Sequence, residues 1–187
     1  MIYLLGGAPR TGKSTIARKF LSETGIPFFD LDYLMMGLAN GFPEYGVNPN
    51  DHELYVGEKL WPIVKAMVVA MIENKIDYLI EGVQINPSHA WELYNKYEGC
   101  LSVSFIGFAN VDTLEKLRQI RSFRGKYNDW LKGLNDHEII KTIERLKKLS
   151  DYLQKECDKY GLKYFDSSSD FEKTVNTVVN YLKKWSD

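Results

Sequence analysis

The chain has 187 residues, 44% of them apolar, and a formal net charge of −1. That is about one domain, long enough to bury a core without disulfides or a structural metal. The charge excludes a generally basic nucleic-acid binder. It is unevenly placed, however. Residues 1–99 carry 8 basic and 12 acidic side chains, residues 100–187 carry 16 and 13, and residues 116–132 hold six basic groups against Asp129. Cys100 and Cys157 form no C-x-x-C and read as reduced thiols, which points to the cytoplasm. The three histidines are scattered without zinc spacing. The longest apolar run, residues 66–72, is far short of the roughly 20 residues of a membrane helix. The first residues lack the basic start and apolar stretch of a signal peptide.

Strands and helices alternate along the chain. An apolar run at 2–5, closed by Gly6 and Gly7, predicts a buried strand. Residues 13–24 carry Ile16, Ala17, Phe20 and Leu21 at helical spacing, and Gly25 is a natural stop. A second strand is expected at 27–29, then a short helix at 34–39 and a loop at 40–50. Residues 52–74 read as helical, with Pro62 starting or kinking a helix. A third strand at 78–80 leads to Asn86 and Pro87, an N-cap and first helical position for a helix to about Tyr97. After a fourth strand at 101–108, Asp112 and Glu115 have capping-box spacing, as do Asn135 and Glu138 before a long helix to about Tyr160. Residues 125–135 read as a mobile loop. A fifth strand at 162–165 precedes a last helix capped by Ser169 and Glu172. Strands separated by helices imply an α/β protein with a parallel sheet covered on both faces.

Gly7-Ala8-Pro9-Arg10-Thr11-Gly12-Lys13-Ser14 matches G-x-x-x-x-G-K-[S/T], after a strand and before a helix. Gly7 and Gly12 let the backbone bend around an anion, whose β-phosphate then meets inward N–H groups and a helix N-terminus. Lys13 would bridge β- and γ-oxygens, the Ser14 hydroxyl would ligate Mg²⁺, and Thr15 would bond the α-phosphate.

With these residues the chain resembles the small P-loop kinases. They include nucleoside monophosphate kinases, shikimate and gluconate kinases, and 2-phosphoglycerate-kinase-like and chloramphenicol-phosphotransferase-like proteins. The resemblance implies a three-layer α/β/α sandwich with a five-stranded parallel sheet in the order 2-3-1-4-5, all in one domain. It also implies a lid at about 118–135, an acceptor-binding segment at about 33–60, and ATP with Mg²⁺. The chain departs from the monophosphate kinases at Arg10 and Ser14, where they usually have glycine. Arg10 either shields a phosphate or is solvated.

Parallel sheets bind ligands beyond the carboxyl ends of their strands. Asp30 and Asp32 follow strand two, and the resemblance places there a carboxylate that orients the acceptor hydroxyl and takes its proton. Asp32 is the better match. Asp30 would sit near Mg²⁺, and either acid could instead cap the next helix. Glu81 ends strand three and would hold Mg²⁺ through water. Arg118, Arg121 and Arg124 form one ridge at three-residue spacing, implied by the resemblance to close over phosphates or to stack on adenine. Asp166-Ser167-Ser168 stands where related kinases cradle adenine. Tyr45, Trp61, Tyr127 and Trp130 are candidates to line the acceptor pocket.

These features point to an ATP-dependent small-molecule kinase acting on a hydroxyl or phosphate, working as a monomer or homodimer without membrane attachment. The alternatives are a nucleotide-dependent switch, and a nucleic-acid end kinase, which the net charge disfavours.

Overall fold

The computed structural model describes residues 1–122 and 130–185. In chain order the elements are β1 (Ile2–Gly7), α1 (Lys13–Thr24), β2 (Phe28–Asp30), α2 (Leu31–Gly41), a 3₁₀ turn (Pro43–Tyr45) and α3 (Glu53–Glu73). There follow β3 (Tyr78–Gly82), α4 (Pro87–Lys96), β4 (Leu101–Gly107), α5 (Thr113–Ser122), α6 (Asp136–Tyr160), β5 (Lys163–Asp166) and α7 (Phe171–Lys183). The strands form one parallel sheet in the order β2-β3-β1-β4-β5, as expected.

Alternation along the strands sorts the core into two layers. Tyr3, Leu5, Leu79 and Ile106 pack against Ile16 and Phe20 of α1 and Val175 and Val178 of α7. Leu4, Ile80, Val103 and Phe105 face the other way, onto Leu60 and Val64 of α3, Leu93 of α4 and Cys157 of α6. Both faces are therefore dry, and the ligand-accessible edge is left at the carboxyl ends of the strands.

Four local expectations are refined. First, residues 53–73 form one helix as expected, and of the two roles expected for Pro62, starting a helix is excluded because α3 runs through it. Val56, Leu60, Val64 and Val68 are buried on both sides of the proline. At about 1.5–3 kcal/mol each, their burial outweighs a proline cost of roughly 3 kcal/mol. Second, α2 begins at Leu31 because Asp30 caps it, accepting the Asp32 N–H at 2.9 Å. Third, Asn86 stands at the N-cap of α4 with Pro87 in its first turn, as expected, but its side chain makes no capping bond. Its amide donates instead to Leu54 O and Glu58 Oε1. Fourth, α7 is capped by Asp170, which accepts the Lys173 N–H, and not by Ser169. The Asn135–Glu138 capping box of α6 is present in both halves. Leu131, within the expected mobile loop, is buried with Ile120, Ile139 and Ile143.

Candidate active site

The loop between β1 and α1 is tied to the sheet. Ala8 N–H donates to Ile106 O of β4 at 3.1 Å, and the Thr11 hydroxyl donates to Ala8 O at 2.9 Å. Two glycines are required by space and by conformation. Gly7 has φ +144°, and a Cβ there would lie 2.2 Å from Ile106 O. Gly12 has φ +93°, and its Cβ would lie 2.6 Å from the Phe171 ring. Arg10 also takes a left-handed backbone, φ +62°, at a cost of roughly 1–2 kcal/mol for a residue with a Cβ.

Lys13 is buried and folds back over the loop, donating to Gly7 O at 3.2 Å and Ala8 O at 2.9 Å. Burial pushes its pKa down, while Glu81, Asp32, Asp30 and Glu53 hold it up. Glu81 lies beside Leu5 of β1 and Asp30 of β2 in the sheet register. Burial pushes the Glu81 carboxyl up to about 7. Asp30 and Asp32 add to the rise, and Lys13 and a hydrogen bond from Ser14 oppose it. Glu81 Oε1 is buried with no hydrogen-bond partner among the described residues. Burial also raises the pKa of Asp30, against its bond from the Asp32 N–H. Asp32 Oδ1 accepts from Gln84 Nε2 at 2.8 Å.

These groups line one cleft of about 1560 Å³. Single-ligand pockets run to roughly 300–1000 Å³, so the cleft has room for a nucleotide and a second molecule. Of the predicted loop residues, Pro9, Arg10, Gly12, Lys13, Ser14 and Thr15 line it. Thr11, Gly7 and Ala8 stand behind as support. Asp30, Asp32 and Glu81 line it too.

The basic ridge is placed elsewhere. Arg118 is exposed and pairs with Glu115. Arg121 donates to Asp136 Oδ1 and to Leu134 O, tying α5 to the start of α6. Neither lines the cleft. Arg124 and Tyr127 lie outside the described residues. Of the aromatic candidates, Trp130 reaches the cleft and lies 5.8 Å from the Arg10 guanidinium. Tyr45 donates to Lys59 O, and Trp61 is buried and stacked on His89. The Asp166–Ser168 segment clasps the loop after β4. Ser167 donates to Gly107 O, and Ser168 Oγ accepts the Asn110 N–H.

Among the cleft residues that sequence reasoning did not single out, four make side-chain contacts that shape the site. Lys116 is buried under the loop, donates to Arg10 O at 2.9 Å and sits 4.2 Å from the Phe108 ring centroid. Burial and the Arg10 charge push its pKa down to about 8. Gln84 holds Asp32. Arg145 and Glu53 pair across α6 and α3 at 2.7 Å. Lys116 lies within the basic run already noted, but its helix face carries no mark of burial. The other three carry no local signal.

No family model matches the chain, and no curated protein sequence matches it. Solved structures do. A shikimate kinase from Bacteroides thetaiotaomicron superposes with a TM-score of 0.60 at 18% identity, covering 98% of this chain and 97% of that one. A gluconokinase from Sinorhizobium meliloti 1021 gives 0.58 at 14% identity, covering 98% and 92%. Likeness at such identities is one of fold. With the strand order and the glycine–lysine loop already described, it shows that this chain has the P-loop kinase fold.

Proposed function

We propose that the chain is an ATP-dependent small-molecule kinase, a phosphotransferase moving the γ-phosphoryl of Mg·ATP to a hydroxyl or phosphate of a small metabolite. One observation carries the reading. The buried Lys13 of the glycine-rich loop faces Glu81, Asp30 and Asp32 across a cleft with room for two ligands. The structural neighbours named as small-molecule kinases support it.

The donor set suits Mg²⁺, which takes oxygen ligands and keeps several waters. The Ser14 hydroxyl lies close enough to the Glu81 carboxylate to lower its pKa, and Glu81 Oε1, unpartnered among the described residues, would accept from a metal-bound water. Bound Mg²⁺ would neutralise charge between the β- and γ-phosphates. Lys13 would exchange the carbonyls of Gly7 and Ala8 for phosphate oxygens, and Thr15, exposed at the start of α1, would meet the α-phosphate. Asp32, fixed by Gln84, would orient the acceptor hydroxyl and take its proton as the new P–O bond forms and the bond to the ADP oxygen breaks. Arg10 and Lys116 are the cations placed to complete the charge around the loop. We assign Arg121 to holding α5 on α6, within a lid segment proposed at about 118–135.

The test is ADP release from Mg·ATP across a panel of acceptors, with Lys13→Ala beside the wild type. The variant is expected to lose roughly 100-fold or more in turnover, the scale of one lost charge-stabilising donor. Near-normal turnover would overturn the reading.

A further inference from the structure

Lys13 and Lys116 are both buried, and both donate to carbonyls of the glycine-rich loop. Lys13 holds Gly7 O and Ala8 O, and Lys116 holds Arg10 O at 2.9 Å. Their surroundings differ. Four carboxylates act on the Lys13 ammonium. Among the described residues the charge acting on Lys116 is that of Arg10, which repels it, and no carboxylate does. A buried ammonium without a counter-ion destabilises the fold that carries it. This one is also fixed in place. Its Nζ lies 4.2 Å from the Phe108 ring centroid, and Phe108 is buried in a cluster with Ala8 of the loop and Leu146 and Leu149 of α6. The ammonium is therefore held between a ring packed on the start of the loop and a carbonyl at its crest.

A second observation concerns that carbonyl. Arg10 lines the cleft with φ +62°. A residue with a Cβ leaves this region unless something holds it there, whereas glycine populates it freely. Arg10 O shares a peptide plane with the Thr11 N–H, and in a trans peptide the two point in opposite directions. Holding the carbonyl on Lys116 therefore also aims the N–H. The N–H groups of such a loop are what an anion meets. With the bond gone, the peptide is free to turn and to carry its N–H with it.

Resting on the kinase reading, we propose that Lys116 is a positioning residue for nucleotide binding. From α5 it holds the Arg10 peptide in its left-handed conformation, and so sets the anion cradle before ATP arrives. It acts on the nucleotide through the loop backbone. Its buried charge is a cost to the empty protein that is retained for binding, not a support of the fold.

The test is Mg·ATP binding, measured by calorimetry on the wild type, Lys116→Met, Arg10→Gly and the double variant. Lys13→Ala is measured beside them, and urea unfolding is followed on the same samples. Lys116→Met is expected to weaken ATP binding about tenfold, the scale of the strain that the bond restrains, while the ligand-free protein gains stability. In the Arg10→Gly background the same change is expected to cost about threefold or less, because glycine keeps the conformation without being held. Lys116→Gln repeats both comparisons with a shorter neutral side chain. A loss of equal size in the two backgrounds overturns the proposal and makes Lys116 a direct contact of the nucleotide. Binding and stability lost together overturn it as well, since a purely structural lysine would give that result. Unchanged binding in Lys116→Met and Lys116→Gln also overturns it. If ATP binding to the wild type is weakened by Lys13→Ala, any of these outcomes removes only the role of Lys116. If it is absent, or indifferent to Lys13, the kinase reading fails and this one with it.

Discussion

Gln84 and Asp32, 52 residues apart in sequence, meet at 2.8 Å, so the loop after β3 fixes a carboxylate in the first turn of α2. A base that must meet one hydroxyl in line with a phosphoryl group gains from such a restraint. Gln84→Leu keeps the volume and removes the donor. Turnover is expected to fall about tenfold, the scale of one hydrogen bond to a charged group. The KM for ATP should stay within a factor of about two, because the Gln84 amide bonds Asp32 and Met35 of α2 and not the glycine-rich loop. Steady-state kinetics with a stimulating acceptor checks both. An ATP KM that rises while turnover holds would place Gln84 on the nucleotide side.

Lys116 gives the protein an alkaline signature. Its pKa of about 8 lies below the ordinary lysine value because burial penalises the ammonium. Between about pH 8 and 10.5 the unfolded chain therefore binds more protons than the folded one, and stability contributed by this group rises with pH. Below pH 8 the full penalty applies. Lys116→Met keeps the apolar stem and removes the charge. It is expected to stabilise the ligand-free protein by about 1–2 kcal/mol at pH 7, net of roughly 1 kcal/mol for the lost bond to Arg10 O. The gain should shrink towards zero or below by pH 10. Urea unfolding at the two pH values measures it, and a gain that grows with pH would reverse the argument.

Gly12 combines a left-handed backbone with a wall. Gly12→Ala must strain at φ +93° and push the Phe171 ring aside. A loss of about 2 kcal/mol or more is expected, with much weaker ATP binding. Phe171→Ala removes the wall but not the strain. The double variant should therefore be more stable than the sum of the single losses, by roughly 0.5–3 kcal/mol of coupling. Strict additivity would mean that the ring is not the obstacle.

Arg121 separates a structural tie from a catalytic one. It holds Asp136 and Leu134 O from a half-buried position. Arg121→Ala is expected to cost at most about 1 kcal/mol of stability, as for other partly exposed pairs. Turnover should fall less than about tenfold. A loss of about 100-fold, the size of a missing phosphate-stabilising donor, would instead mean that the pair opens and the guanidinium reaches the nucleotide.

The parts legible in the sequence were those whose cause is local. The bounds of α1 follow from Gly12 and Gly25, and those of α6 from the Asn135–Glu138 box and Gly161. The loop is a run of eight residues, so its lysine could be assigned to the site before any fold was known. Asp30 and Asp170 show the limit of local signals. Each caps a helix next to another plausible capping residue, and only the backbone path decides between them. The remaining site residues depend on distant partners. Arg145 meets Glu53 across 92 positions and Lys116 meets Arg10 across 106. No periodicity joins residues so far apart. Likewise the arginine spacing could not show that Arg121 turns to Asp136 of α6, because the position of α6 is set by the fold.

The bond from Ala8 N–H to Ile106 O gives the loop a property that its glycines alone would not. A glycine-rich turn at a surface frays and exchanges its amide protons readily. Here the turn's first amide extends the ladder between β1 and β4, in the middle of the sheet. Freeing it requires opening the central strands, so the anchor of the anion cradle belongs to the slowest-exchanging part of the molecule. The site's fixed point is thus as durable as the fold itself.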